Sequence, residues 1–336
     1  MTFLLRFGAA DLLRCRFAVS PRWETHEAVR TLRRPARHGY HLPWLRGLDR
    51  RATGTAGLDL RPLWLLMPER GHNPDFLSPP PIGPAASFEE EIAAVRAAAA
   101  ADPAAVRADL ARSLTCTPGA YDSPLGQAML ADPTAAVREL ADLTEAAWRA
   151  LIAPHWPRLR ALLEADLVFH SRRLATGGLE ALFNDLHPAL TWEGSTLTLA
   201  RPGEHERELD GQGLVLMPSA FTWPEVVSGF DPPWQPTVVY PARGIGALWN
   251  GTGPGAPEAL ARLFGRGRAE VLCSLEEPAD THTLARRLGL APSTVSAHLS
   301  ALRGAGLLLS RRHSRRVLYE RTPLGIALAN GEQSGG

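Results

Sequence analysis

The sequence predicts an α+β chain in two parts. Residues 1–250 form a mostly helical N-terminal domain with a small β region, and residues 251–330 form a compact unit of short helices closed by a two-stranded ribbon. Three observations predict this. Helical periodicity dominates residues 88–188, and the period changes to two from Ala189. After the stretch GTGPGAP (residues 251–257), which reads as a linker, short amphipathic helices return and end in a β hairpin.

In chain order, residues 3–7 read as a strand and residues 10–17 and 23–33 as helices. The Pro-rich segment 78–84 reads as a loop or semi-rigid spacer. Asp102-Pro103 and Asp132-Pro133 each place a capping carboxylate before a proline at the first helical position, where a missing N–H costs nothing. Longer helices are expected over residues 134–153 and 154–175, with Gly177-Gly178 breaking the chain before a further helix over 179–186. Residues 189–192 and 196–199 flank Glu193-Gly194-Ser195 as a hairpin, and residues 213–217 and 236–240 read as strands. Trp192, Phe221, Trp223, Phe230, Trp234, Tyr240 and Trp249 gather in this region. They read as the core of a small sheet, with an apolar effector pocket as the alternative.

The C-terminal unit is more informative. Residues 256–264 and 267–275 read as helices, the second ended by Pro278. Residues 281–306, THTLARRLGLAPSTVSAHLSALRGAG, hold two more. The first starts at Thr281, a candidate N-cap, and places Leu284, Ala285 and Leu288 on one face. Gly289 makes the turn, since glycine tolerates positive φ. The second starts with Pro292 and buries Val295, Leu299 and Leu302 at i, i+4 and i+7. Its other face offers Ser293, Thr294, Ser296, Ala297 and His298. Two strands, 307–312 and 316–321, follow around a turn at 313–315, with Leu307, Leu309, Val317 and Tyr319 expected inward. A last short helix spans 324–329. Helix-turn-helix plus basic ribbon is a winged helix-turn-helix, with the second helix shaped to enter a major groove.

Residues 256–330 resemble the wing domain of ArsR-type transcriptional regulators. The resemblance rests on Arg268 and Leu272, Leu284-Ala285, Leu288-Gly289-Leu290, Ser293 to Ser296, His298-Leu299, Leu302, Ala305-Gly306-Leu307 and Tyr319. It implies that Ser293, Thr294, Ser296, Ala297 and His298 lie against base edges and that the wing touches backbone or minor groove. Arg303, Arg312, His313, Arg315 and Arg316 are then candidate DNA contacts, the arginines mainly to phosphate. Ser293 and Thr294 also suit helix capping, and His298 an intramolecular role. The opening LLRFGAADLLRCRFAVSP resembles a domain of uncharacterised function that precedes this wing domain in actinobacterial regulators. The resemblance implies a homodimer on a pseudo-palindromic DNA duplex, more a repressor than an activator. Metal-sensing relatives carry paired cysteines entering the motif, or acidic and histidine ligands on the last helix. Here Cys273 and His282 stand alone, so no metal site is expected.

Composition narrows the rest. The chain has 36 basic residues, all arginine, and 35 acidic ones, for a net charge of +1. Residues 256–330 hold 11 arginines against 6 acids, whereas residues 1–255 hold 25 against 28. That is a basic head on a nearly neutral body, the distribution a DNA-binding unit requires. No long apolar run, secretory signal, paired cysteines, P-loop or GxSxG elbow is present. The expectation is a cytoplasmic, cofactor-free regulator that is not an enzyme, with an effector or partner read by the N-terminal domain. Asp166 and His170, spaced i,i+4 near Glu164, read as a surface ion pair, with two legs of a metal site or an acid/base pair as the alternative. A catalytic N-terminal domain, or a wing domain turned protein-interaction module, are the alternative readings.

Overall fold

The computed structural model describes residues 3–34, 39–50, 57–69, 71–200, 205–223, 225–229, 234–249, 256–313 and 316–329. The predicted 251–257 linker therefore lies mostly outside the described residues, as do Phe230 and Arg315.

The N-terminal domain starts with β1 (Phe3–Arg6), α1 (Ala9–Leu12), β2 (Arg16–Phe17) and α2 (Pro21–Arg33). The helix expected over 10–17 stops early. Asp11, buried, accepts the Gly8 N–H at 2.8 Å and the Gly213 N–H at 2.9 Å, and a Cβ on Gly213 would lie 2.5 Å from the Arg14 carbonyl. This anchoring pulls the following residues into β2 instead. Helices α3 (Leu42–Arg50) and α4 (Arg61–Leu65) lead to the Pro-rich segment. That segment is fixed from inside: the fully buried Arg22 guanidinium donates to the carbonyls of Leu77 (3.1 Å) and Pro79 (2.6 Å) and faces Glu91 at 3.5 Å.

A helical layer follows: α5 (Phe88–Ala101), α6 (Pro103–Cys116), α7 (Pro124–Ala131) and α8 (Pro133–Ala147). Asp102 and Asp132 cap as predicted, each accepting the N–H three residues on at 2.9 Å. The helix expected to 153 widens into a π turn (Trp148–Ile152) and then a 3-10 turn (Ala153–His155), where Pro154 and Pro157 remove backbone donors. Helix α9 (Trp156–Leu186) is interrupted at Gly178, whose φ of 66° and ψ of −167° mark the predicted break.

The β region forms two sheets rather than one. The hairpin β3 (Leu190–Glu193) and β4 (Thr196–Leu199) pairs with β1, and β5 (His205–Glu208) lies parallel to β1 on its other side. Strands β2, β6 (Val215–Ser219) and β8 (Thr237–Pro241) run parallel, with β7 (Val227–Gly229) antiparallel at the edge. The aromatic residues accordingly divide. Trp192 packs on Phe7 and Phe183, Phe221 and Trp249 surround His41 and Trp44, and Tyr240 meets His170. They form parts of several cores, not one cluster or one pocket.

Asp166 and His170 are buried, 2% and 1% exposed, so the expected surface pair is instead interior. The Asp166 carboxylate accepts the Tyr240 hydroxyl at 2.9 Å and the Arg243 N–H at 3.0 Å, with His170 Nε2 at 3.6 Å. Those partners come from the β8 region, far along the chain, which no local spacing reveals. Among the described residues, no helix is long and apolar enough to cross a membrane.

Candidate DNA-binding interface

The C-terminal unit comprises α10 (Ala256–Phe264), α11 (Arg266–Ser274), α12 (Thr281–Leu288), α13 (Pro292–Gly304), β9 (Leu308–His313), β10 (Arg316–Arg321) and α14 (Pro323–Ala329). Its core joins Leu284, Ala285, Val295, Leu299 and Leu302, which the periodicity selects, with Leu272 of α11; Leu288, also selected, is partly buried against it.

The cap of α12 is Asp280 rather than Thr281; its carboxylate accepts the Thr283 N–H at 2.7 Å. Burial pushes the Asp280 carboxyl up, but hydrogen bonds from Thr283 and the charges of Arg316 and His282 outweigh it and hold it below the usual carboxylate range. Gly289 ends the helix at φ 65°, ψ 27°, as the turn requires, and the Leu290 N–H bonds the Ala285 carbonyl at 3.0 Å.

Helix α13 is capped by Ala291, which has no side-chain acceptor. Ser293 and Thr294 are thus not the cap; both are exposed on the first turn, with Ser296 and Ala297 exposed on the second. The first turn of α13 has no side-chain cap on its N–H groups, an arrangement suited to a phosphate oxygen. His298 departs from the sequence reading. It is half-buried and turned toward α11: a Cβ on Gly267 would lie 2.7 Å from its Nε2. One residue before Leu299 and three after Val295, it lies on the flank of the buried stripe, and the missing Gly267 side chain makes room for the ring.

The wing differs from expectation by one residue in register. Tyr319 pairs with Ser310 and Glu320 with Leu309, so Leu309 and Val317 fall on opposite faces and are 48% and 42% exposed. Leu307 is buried as expected and Tyr319 packs on the wing-domain core, while Leu308 and Leu318, on opposite faces of the ribbon, enter the wing-domain core and the N-terminal core respectively. Ala279 extends this ribbon through reciprocal backbone bonds with Tyr319 of 3.0 and 3.1 Å. Arg312 is exposed on β9. Arg303, in the last turn of α13, reaches Ser310 Oγ at 3.2 Å, and Arg316 pairs with Asp280 at 3.3 Å. The His313 side chain and all of Arg315 lie outside the described residues. Sequence reasoning passed over Arg286, exposed on α12, and Arg311, which pairs with Glu320 at 3.0 Å.

Sequence also gave no sign of how firmly this unit joins the larger domain. Leu318 and Ile326 belong to the N-terminal core cluster, and α14 packs on the turn Gly39–His41. The Trp223 indole N–H donates to Glu320 at 2.6 Å, and Arg321, buried, reaches the Gly246 carbonyl at 3.4 Å. Gly246 is pressed against the Glu276 backbone so closely that a Cβ would sit 1.7 Å from its carbonyl oxygen.

Among the described residues, no group of three or more His, Cys, Asp or Glu side chains is placed to hold a metal ion. Cys15, Cys116 and Cys273 are free thiols, and burial raises Cys273 above the ordinary thiol range.

Residues 266–310 match the family model described as bacterial regulatory protein, arsR family, and residues 85–246 match that of a family of unknown function (DUF5937). No curated protein and no solved structure shows a significant match to the chain.

Proposed function

We propose that this chain, a DNA-binding transcriptional regulator with an ArsR-family domain at its C-terminal end, is a homodimeric cytoplasmic repressor whose N-terminal domain receives a small-molecule signal. Two copies of α13 enter successive major grooves of a pseudo-palindromic site, about 34–36 Å apart. Ser293, Thr294, Ser296 and Ala297 face base edges; Arg286, Arg303, Arg312 and Arg316 meet phosphates. In this reading the N-terminal domain binds its ligand without turning it over.

The observation that carries the sensing reading is the docking of the wing base into the N-terminal core through Leu318, Ile326 and the Trp223–Glu320 bond. A head built into the larger domain moves when that domain rearranges. Ligand and DNA are then coupled reciprocally, typically by about 1–3 kcal/mol. Footprinting on the upstream region of the protein's own coding sequence tests the geometry, with two protected half-sites related by a twofold axis expected. Thr294→Ala should narrow the gap between specific and random DNA, while Arg312→Ala should weaken both alike. Equal losses from the two variants contradict the division of roles.

A further inference from the structure

Where α9 meets the helix-turn-helix, the two domains flank an open cleft of about 460 Å³, within the range of small-molecule sites. Asp166, Phe169 and Arg243 line it from the N-terminal domain, and Glu276, Glu277 and Arg287 from the wing domain. The Asp166 carboxylate is buried and already bonded to the Tyr240 hydroxyl and the Arg243 N–H, so two carboxylates, Glu276 and Glu277, face two guanidinium groups. Arg287 is committed: it donates to the Ser274 carbonyl at 2.7 Å and to Glu277 at 2.9 Å. Arg243 is held more loosely. Its guanidinium carbon lies 3.5 Å from the centre of the Phe169 ring, its Nε stands 3.9 Å from Glu277, and its side chain is 41% exposed. Among the described residues the Glu276 carboxylate makes no hydrogen bond or salt bridge.

We infer that this junction cleft binds a small organic cation, an ammonium or guanidinium compound, in the place Arg243 now fills. An aromatic face beside carboxylates is a setting that recognises such cations. Arg243 itself demonstrates the fit of a guanidinium on Phe169 against Glu277. An anion would meet the Glu276 carboxylate and would have to separate Glu277 from Arg287. The inference rests on the sensing reading above and gives it a location. Glu277 faces Arg243 of one domain and Arg287 on α12 of the other, and α12 packs against α13. A cation that draws on Glu277 loosens Arg287 and so reaches the DNA-reading helix.

The test titrates the full chain with agmatine and with methylguanidinium at constant ionic strength, by calorimetry, with potassium and phosphate as controls. Saturable binding of at least one of the two cations is expected, weakened about tenfold or more by Glu277→Gln. Arg243→Ala should do the opposite and tighten binding severalfold, because it vacates the site. Failure of both cations to saturate by about 10 mM, weaker binding in Arg243→Ala, no effect of Glu277→Gln, or competition by phosphate overturns the inference. A gel shift with and without the cation separates this from the sensing reading. Cation binding that leaves DNA affinity unchanged retains the site and refutes sensing through it. A different compound that shifts DNA affinity while neither cation binds retains sensing and refutes this site.

Discussion

Replacing Trp223 by Phe removes a single N–H from the domain junction and keeps an aromatic ring in place. The indole donates at 2.6 Å to Glu320, and the two residues are only 9% and 7% exposed. The other Glu320 oxygen keeps Arg311 at 3.0 Å, so the carboxylate loses one of two partners. A hydrogen bond to a charged group contributes about 1.5–3 kcal/mol, and the smaller ring gives up about 1 kcal/mol of apolar burial. The expected loss is therefore about 2.5–4 kcal/mol, a fall of roughly 1 M in the urea midpoint for a chain with a slope near 3 kcal/mol/M. Urea unfolding followed by far-ultraviolet circular dichroism measures it. The wild-type chain should unfold in one transition, and the variant in one transition at lower urea. An unchanged midpoint, or a separate early transition of the wing domain in the wild type, would refute the claim that this contact fastens the domains.

Three further predictions follow from buried or crowded positions. Burial, outweighing the hydrogen bonds from Ser219 and Ala220, pushes the Glu24 carboxyl up to about 8 from an ordinary 4.5. The native chain then holds a proton that the unfolded chain releases, so this contribution to stability is complete below about 4.5 and lost as pH rises through about 8. Glu24→Gln should flatten that decline in urea midpoints across the window, and parallel curves for the two proteins would argue against it. Gly246→Ala should part the domains, because the new Cβ meets backbone at 1.7 Å. A loss of about 3 kcal/mol or more is expected, with the wing domain released faster by limited proteolysis, and protease resistance equal to wild type contradicts it. His298→Ala should cost about 1 kcal/mol of stability while leaving the ratio of specific to random DNA affinity within about twofold. A tenfold fall in that ratio would return His298 to the base-reading face.

What the sequence made legible follows from how local each cause is. Asp102-Pro103, Asp132-Pro133, Gly178 and Gly289 act within a few residues of themselves, and each does what its residue type predicts. The core stripe of α13 is equally local, since Val295, Leu299 and Leu302 follow helical periodicity. The failures involve distant partners. Asp11 stops α1 because it holds Gly213, some 200 positions away. Asp166 is interior because Tyr240 and Arg243 come back to it. The wing register depends on Ala279 pairing with Tyr319 and on Leu318 entering the N-terminal core, neither of which alternation within the ribbon encodes. His298 turns inward because a glycine 31 positions earlier leaves space.

The most direct measurement of the account is a gel-shift salt series on the full chain with its own upstream DNA. Two to four phosphate contacts from each head, drawn from Arg286, Arg303, Arg312 and Arg316, predict that log K falls against log salt with a slope between about −4 and −7 for a dimer. Retardation of no duplex at low salt, or a slope near zero, would contradict it.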